Sequence, residues 1–207
     1  MYFDRKCKIT FICHGATIYS EENRFSDNDN HPQLNENGVE EVEKICEYLK
    51  QRGVKNDKIY TSTATRCIQA AKYVSKVYKK DFEVIELKPR KCGAFSGLTF
   101  EQIETKQPEL LQRLINEPDK RTPDEDAESV TEFIERVGKK IDEIVENNQG
   151  NRVIIVTHQD VIKAAICDAL NIPHSSLQHI YIKTGSATQI SYFESWKSLI
   201  YSDYTPL

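Results

Sequence analysis

Apolar and polar positions alternate along this chain with two periods, one typical of strands and one typical of helices. Short apolar runs indicate strands at residues 9–13, 58–61, 82–87 and 152–157. Longer segments with apolar side chains at helical spacing predict helices at residues 37–51, 64–79, 129–145 and 161–170. This alternation predicts an α/β domain whose strands pair in parallel through crossover helices.

Three segments depart from this alternation of strands and helices, at residues 94–128, 177–193 and 195–207. Residues 177–183 and 188–193 are interpreted as two strands joined through Gly185, which favours an antiparallel hairpin at the sheet edge. Residues 94–128 are helical, acidic and interrupted by proline, and we interpret them as a small cap-like excursion over the functional face. Residues 195–207 are expected to pack on the domain or on a second copy, which leaves the oligomeric state open. Residues 1–207 are predicted to form one domain.

Composition narrows the classes of function. The 207 residues carry 28 Lys and Arg against 32 Asp and Glu, a formal charge of −4, which argues against a general nucleic-acid binder. The first residues lack the apolar core of a signal peptide, and no run is long enough to cross a bilayer. We therefore expect a cytoplasmic protein that acts on a small molecule, without a nucleic-acid or membrane partner.

The six cysteines are predicted to be free thiols that pack as small apolar side chains. They show neither a Cys-x-x-Cys pair nor a zinc-type cluster with histidine, so no structural metal is expected. Cys13 beside His14 raises the alternative of a cysteine phosphatase. That chemistry needs Arg six residues after the cysteine, and the residue there is Tyr19.

Two histidines and one arginine follow predicted strands at the places where ligands bind in α/β sheets. His14 and His158 each come directly after an apolar run, and Arg66 follows the run at residues 58–61. Side chains beyond the carboxyl ends of parallel strands converge on one edge of the sheet. Two imidazoles and a guanidinium at that edge predict a site for a phosphoryl group.

Four stretches carry these residues in a fixed order: Ile-Cys-His-Gly-Ala-Thr at 12–17, Ser-Thr-Ala-Thr-Arg-Cys-Ile-Gln-Ala-Ala at 62–71, Gly-Ala-Phe-Ser-Gly-Leu-Thr at 93–99 and Val-Thr-His-Gln-Asp-Val-Ile-Lys at 156–163. They resemble the Arg-His-Gly, Ser-x-x-x-Arg, Gly-x-Trp-x-Gly-Leu-Thr and Ser-His-Gly segments of the histidine phosphatase superfamily, in its phosphoglycerate-mutase-like branch. Residues 34–38 and 128–136 show weaker similarity to two further segments of the family. With these, the resemblance covers residues 9 to 193.

The resemblance implies a three-layer α/β sandwich with helices on both faces of the sheet. It also implies that His14 attacks the phosphoryl group and carries it as phosphohistidine. Arg66 is expected to hold two phosphate oxygens, and His158, if protonated, is a further charged donor. Gly15, Arg24 and Ser62 are the expected substrate-binding residues, with Gly15 permitting close backbone approach. Neither a metal nor another cofactor is expected.

Two positions depart from the pattern of the family. Cys13 stands where the family has an arginine, which removes a donor worth roughly 2.7–4 kcal/mol in a transition state. Pro89 stands where the family has its acidic proton donor, and losing a general acid typically costs about 10²–10⁴ in rate. The sequence offers replacement carboxyl groups at Glu86, Glu101, Glu125 and Asp160 and replacement charge at Arg90 and Lys91, without ranking them.

Two hypotheses of different class follow from these departures. The first is a phosphomonoester hydrolase acting through phosphohistidine, slow or impaired, on a small phosphorylated substrate. The second is a catalytically inactive relative that binds a phosphate-bearing ligand or partner. A phosphoglycerate mutase is the third choice, since it needs both missing groups. The natural substrate stays open, and its selection is expected to involve residues 18–33 and 94–128.

Overall fold

The computed structural model describes residues 5–27, 31–117 and 127–206. The strands of this part of the chain are β1 (Arg5–Cys13), β2 (Lys58–Ser62), β3 (Phe82–Ile85), β4 (Arg152–Thr157), β5 (Ala187–Phe193) and β6 (Lys197–Tyr204). They form one sheet in the order β3-β2-β4-β1-β5-β6. The first four strands in this order pair in parallel, and β5 runs antiparallel to both β1 and β6. The predicted parallel sheet with an antiparallel edge is confirmed.

The helices of the described residues are α1 (Ile18–Glu21), α2 (Glu36–Gln51), α3 (Thr65–Tyr78), α4 (Phe100–Lys106), α5 (Pro108–Asn116), α6 (Val130–Glu146) and α7 (Gln159–Leu170). Short 3-10 helices cover Gly93–Phe95 and His174–His179. The Ser129 hydroxyl accepts a hydrogen bond from the backbone N–H of Glu132, and the Glu132 carboxylate accepts one from the backbone N–H of Ser129. This capping box starts α6.

Alternation along β1 divides the core into two layers. Ile9, Phe11 and Cys13 pack with α6 and α7, while Ile12 packs with α2 and α3 on the opposite face. Successive side chains of a strand point to opposite faces, so a strand buried on both sides is apolar throughout its length. Helices cover both faces of the sheet, which is the three-layer sandwich that the resemblance implied.

The hairpin at the sheet edge lies later in the chain than predicted. Residues 177–183 begin inside the 3-10 helix His174–His179 and continue without strand pairing, so their prediction as a strand is wrong. Strand β5 is paired with β1 on one side and with β6 on the other, which leaves it no free edge for residues 177–183. The terminal segment supplies that second partner as β6 and thus packs on its own domain.

The excursion at residues 94–128 has a small core of its own, and residues 118–126 lie outside the described residues. Helices α4 and α5 enclose Phe95, Ile103 and Leu111 together with Phe25. The segment is tied to Phe25 by two backbone hydrogen bonds, from Phe25 N to Leu98 O and from Gly97 N to Phe25 O. It therefore holds the loop that carries Phe25.

All six cysteines are buried and free, as predicted. None of the helices in the described ranges has the length and apolarity needed to cross a membrane.

Candidate active site

The carboxyl ends of three parallel strands bring His14, Arg66 and His158 into one pocket. His14 follows β1, His158 follows β4, and Arg66 lies in the first turn of α3 just beyond β2. The three side chains line a cavity of about 260 Å³ and are each less than one tenth exposed. The convergence predicted from their positions after strands is what the fold produces.

Arg66 connects the two histidines directly. Its Nε donates to Nε2 of His14 at 3.1 Å, and its Nη2 lies 3.1 Å from Nδ1 of His158. The two imidazole rings lie edge to face with centroids 5.4 Å apart. The guanidinium is 2 % exposed, so its charge faces the pocket rather than bulk water.

These contacts determine where the protons lie on both imidazoles. A guanidinium only donates hydrogen bonds, so the two nitrogens that face it act as acceptors. Nδ1 of His14 therefore carries its proton and donates to Gly15 O at 2.8 Å. Nε2 of His158 carries the other proton and donates to Ser62 Oγ at 2.9 Å. Both histidines are neutral in this arrangement.

Burial and the nearby guanidinium both disfavour the charged imidazoles. Burial, followed by the charge of Arg66, lowers the pKa of His14 to about 3, against a smaller opposing effect of its bond to Gly15. The same two causes, with His14 as a third, hold the pKa of His158 well below its usual value. His14 thus presents a neutral nitrogen across the neutral pH range.

One part of the Arg66 guanidinium has no acceptor in the described residues. Nη2 also reaches the backbone oxygen of Asp27 at 3.4 Å, but the buried Nη1 atom finds no hydrogen-bond partner there. Buried donors of a cation are costly when they are unsatisfied. An anion in the pocket supplies the acceptor that Nη1 lacks.

The amino end of α7 adds to the positive potential of this corner. His158 is the residue that precedes this 12-residue helix, and Gln159, Asp160 and Lys163 of its first turns line the pocket. The free backbone N–H groups at the start of a helix favour anions. Within the described residues, no group of three or more His, Cys, Asp and Glu side chains is placed to hold a metal ion.

The three predicted substrate-binding residues have different positions. Arg24 lines the pocket, with Nη1 donating to Gly97 O at 2.8 Å and Nε paired with Glu22. Ser62 is not among the residues that line the pocket, and its Oγ accepts a hydrogen bond from Nε2 of His158. At Gly15, a Cβ atom would lie 1.9 Å from Gly38 O, so its close approach is to another backbone segment.

The two departures from the family pattern lie in different surroundings. Cys13 is fully buried in the core that β1 shares with α6 and α7, where burial raises its pKa well above the usual value. Pro89 forms part of the pocket wall. Its carbonyl oxygen accepts a hydrogen bond from Arg136 at 3.3 Å, and Arg136 is paired with Glu128 at 2.7 Å.

Substrate selection was expected to involve Arg24 and the segments 18–33 and 94–128, but the other individual lining residues were missed. Residues 18–33 supply the pocket with Tyr19, Ser20, Arg24, Phe25 and Ser26, whereas the described residues of the 94–128 excursion supply none. Lys163 was also missed as a pocket residue. Its spacing of three from Asp160 in a helix that starts at the site places both on one face, which was the available signal.

Comparisons with known proteins agree with this geometry. A sequence model described as the histidine phosphatase superfamily (branch 1) matches residues 9–201. A bifunctional protein of Mycobacterium tuberculosis is 27% identical over 194 residues, covering 93% of this chain and 52% of that protein. The chain thus spans about half the length of this relative. A metal-independent phosphoserine phosphatase of Arabidopsis thaliana is 27% identical over 161 residues, covering 76% of this chain and 66% of its own.

The fold is shared with a solved phosphoserine phosphatase of Entamoeba histolytica in complex with 3-phosphoglyceric acid. The two chains superpose with a TM-score of 0.85 at 19% identity, over 96% of this chain and 98% of the other. At that identity the likeness concerns the fold, while the family rests on the match over nearly the whole sequence. Together with the paired histidines beyond β1 and β4, that match establishes that the chain belongs to branch 1 of the histidine phosphatase superfamily.

Proposed function

We propose that this chain is a phosphomonoester hydrolase in which His14 accepts the phosphoryl group. The observation that carries the proposal is the buried Arg66 guanidinium, which donates to both histidines and keeps Nη1 without a partner in the described residues. A planar cation of this kind suits the oxygens of a phosphate, and it lies within hydrogen-bonding distance of the proposed nucleophile.

The proposed reaction has two displacements. In the first, Nε of Arg66 moves its hydrogen bond from Nε2 of His14 to a phosphate oxygen, and the freed Nε2 lone pair forms a bond to phosphorus. The bond from phosphorus to the leaving oxygen breaks, and a general acid supplies a proton to that oxygen. In the second, water attacks phosphorus, the bond to Nε2 breaks, and the proton of water passes to a base. The proton on Nδ1 of His14 stays hydrogen-bonded to Gly15 O in both displacements. The imidazole therefore returns to its starting protonation state at the end of the cycle.

Charge in the pocket supports both displacements. The phosphoryl oxygens meet Arg66 and the amino end of α7, and both are fixed before the substrate arrives. Fixed donors in a pocket that excludes water stabilise a transition state better than mobile ones. His158 supports this arrangement by accepting a hydrogen bond from Nη2 of Arg66, which orients the guanidinium.

The substrate class that fits is a small phosphorylated molecule. The cavity of about 260 Å³ has a polar rim that includes Tyr19, Ser20, Arg24 and Gln178. Such a rim selects the part of the substrate beyond the phosphate. The E. histolytica neighbour was solved with 3-phosphoglyceric acid, a phosphorylated small acid, which belongs to the class proposed here.

One observation favours the alternative of a phosphate-binding protein without turnover. Pro89 contributes to the pocket wall without a proton to give, and Cys13 is buried in the core rather than among the lining residues. A ligand that binds Arg66 and the histidines then remains intact. Binding of inorganic phosphate without hydrolysis of any phosphomonoester is the outcome that this alternative predicts.

Turnover of p-nitrophenyl phosphate by His14→Ala, compared with a His179→Ala control, tests the proposal. His179 is exposed, so its removal is expected to leave the rate unchanged. The proposal expects hydrolysis by the wild type and the control but only background with His14→Ala. Equal turnover by all three proteins contradicts it, and phosphate binding without any turnover favours the alternative.

A further inference from the structure

The structure separates the carboxyl groups that the sequence offered as replacements for the missing acid. Glu86 is exposed and paired with Lys88, and Glu101 is exposed on α4. Glu125 lies outside the described residues. Asp160 lines the pocket together with His14 and Arg66. Among the candidates that are described, Asp160 is the one placed to meet a substrate.

Asp160 also occupies the corner that Pro89 leaves without a carboxyl group. Its Oδ2 accepts the backbone N–H of Arg90, the residue after Pro89, at 2.6 Å, and its Oδ1 accepts the N–H of Val161 at 2.8 Å. The segment around Pro89 is held from the other side by Arg136, which donates to the carbonyl oxygens of Lys88 and Pro89. The carboxyl group is therefore fixed beside this segment.

The surroundings of Asp160 shift its pKa upward, which increases the fraction that carries a proton at a given pH. Burial raises the pKa of Asp160, and this effect exceeds the opposing effects of the two backbone N–H groups and of the Arg90 and Arg66 charges. The titratable and charged groups that interact with it are Arg66, Arg90, Arg136 and Lys163, with the buried thiols Cys13, Cys67 and Cys92. A carboxyl group that keeps its proton does not repel an incoming phosphate.

We propose that Asp160 is the proton donor for the leaving group, in place of the acid that Pro89 cannot supply. This inference rests on the proposed hydrolase function. As the bond from phosphorus to the leaving oxygen breaks, the Asp160 carboxyl gives its proton to that oxygen and becomes a carboxylate. In the second displacement it takes a proton from the attacking water, which restores the carboxyl group and releases phosphate.

The test compares two substrates that differ in their need for a proton. Nitrophenolate leaves readily as an anion, whereas the alkoxide of β-glycerophosphate needs protonation. Asp160→Asn is expected to lower kcat/KM on β-glycerophosphate by about 10²-fold or more and to change kcat/KM on p-nitrophenyl phosphate by less than about threefold. This parameter reports the first displacement, in which Asp160 acts as the acid, and not the hydrolysis of phosphohistidine that both substrates share. Glu101→Gln, which removes an exposed carboxylate, serves as the matched control and is expected to change neither.

A rescue distinguishes proton donation from loop positioning, since Asn also loses one of the two backbone hydrogen bonds. Pro89→Glu in the Asp160→Asn background is expected to recover part of the turnover of β-glycerophosphate. In the wild type, the same turnover is expected to fall as pH rises through the pKa of Asp160. The kcat/KM on p-nitrophenyl phosphate has no such limb, because its leaving group needs no acid in the first displacement.

Four outcomes overturn the inference. An equal loss on both substrates assigns Asp160 to structure, and an unchanged rate on β-glycerophosphate assigns the proton to another group. If Asp160→Asn does not fold, the test uses the wild type with substrates whose leaving groups differ in basicity. A rate that falls steeply as the leaving group becomes more basic shows that no acid protonates it. A wild type that hydrolyses neither substrate overturns the hydrolase function itself, and the inference with it.

Discussion

Nε of Arg66 donates a hydrogen bond to Nε2 of His14 across 3.1 Å, so the cation of the pocket lies on the nitrogen that we assign as nucleophile. This contact keeps His14 neutral, and the bond from Nδ1 to Gly15 O leaves the lone pair of Nε2 on the side of Arg66. A phosphate that accepts from Arg66 therefore arrives next to Nε2. In the proposed mechanism, one guanidinium binds the anion and, together with burial, keeps the nucleophile neutral.

Arg66→Lys is expected to lower kcat/KM on p-nitrophenyl phosphate by about 10²–10³, although the charge is kept. A lysine ammonium cannot hold two imidazoles and a phosphate with the fixed planar geometry of a guanidinium. Arg113→Lys on the exposed face of α5 is the matched control. Initial rates and phosphate titration by calorimetry measure the effect. An Arg66→Lys variant within about threefold of wild type contradicts the assigned role.

Ser62→Ala is expected to remove the acceptor of the His158 proton. The buried Nε2–H then retains only the weaker sulfur of Cys67, 3.6 Å away. A loss of about 1–3 kcal/mol in the free energy of unfolding is expected, together with a lower kcat. Urea unfolding compared with Ser198→Ala, a change on the edge strand β6, measures the first effect. A stability equal to that of the control means that His158 does not depend on Ser62.

Gly15→Ala is expected to be severely destabilising, by about 4 kcal/mol or more, because its Cβ would meet Gly38 O at 1.9 Å. The matched control is Gly138→Ala in α6, where the nearest atom would be 3.8 Å away. There the added methyl group is expected to be neutral or to stabilise the helix by up to about 1 kcal/mol. Thermal unfolding of both variants checks the pair. Equal melting temperatures rule out the close approach of residues 15 and 38.

The free energy of unfolding is expected to fall as pH drops below about 6.5 toward 3. In that window the unfolded chain protonates His14 and His158, while the folded chain keeps both neutral because their pKa values are lowered, that of His14 to about 3. The slope is about 1.4 kcal/mol per pH unit for each histidine that titrates only when unfolded. Urea unfolding between pH 7.5 and 4.5 measures it, and His14→Gln is expected to have a shallower slope. Identical slopes contradict the buried neutral state.

Much of the fold could be predicted because the central strands leave an unambiguous signal. Residues 9–13 of β1 and 153–156 of β4 are buried and almost entirely apolar, and the histidines after the two strands show where each strand ends. Residues 177–183 imitate a strand instead. Ile182 is 1% exposed and Tyr181 is 71% exposed, an alternation that arises in a loop packed against the domain.

His14, Arg66 and His158 could be predicted as residues of the site, but the hydrogen bonds between them could not. The positions of His14, Arg66 and His158 after strands were sufficient to place them together. Their protonation was not, since it depends on which nitrogen faces the guanidinium. The position of Asp160 likewise depends on the turn at residues 88–91, and no spacing in the sequence specifies that Arg90 N donates to this carboxyl group.

Direct trapping of the phosphoenzyme tests the central claim that His14 receives the phosphoryl group in the pocket built by Arg66 and His158. The protein is mixed with p-nitrophenyl phosphate, denatured rapidly at alkaline pH, and digested for peptide mass spectrometry. We predict one phosphoryl group on the peptide that contains His14, labile to acid and missing from His14→Ala. Release of nitrophenol with the His14 peptide unmodified throughout, or with the phosphoryl group on another residue, contradicts the account.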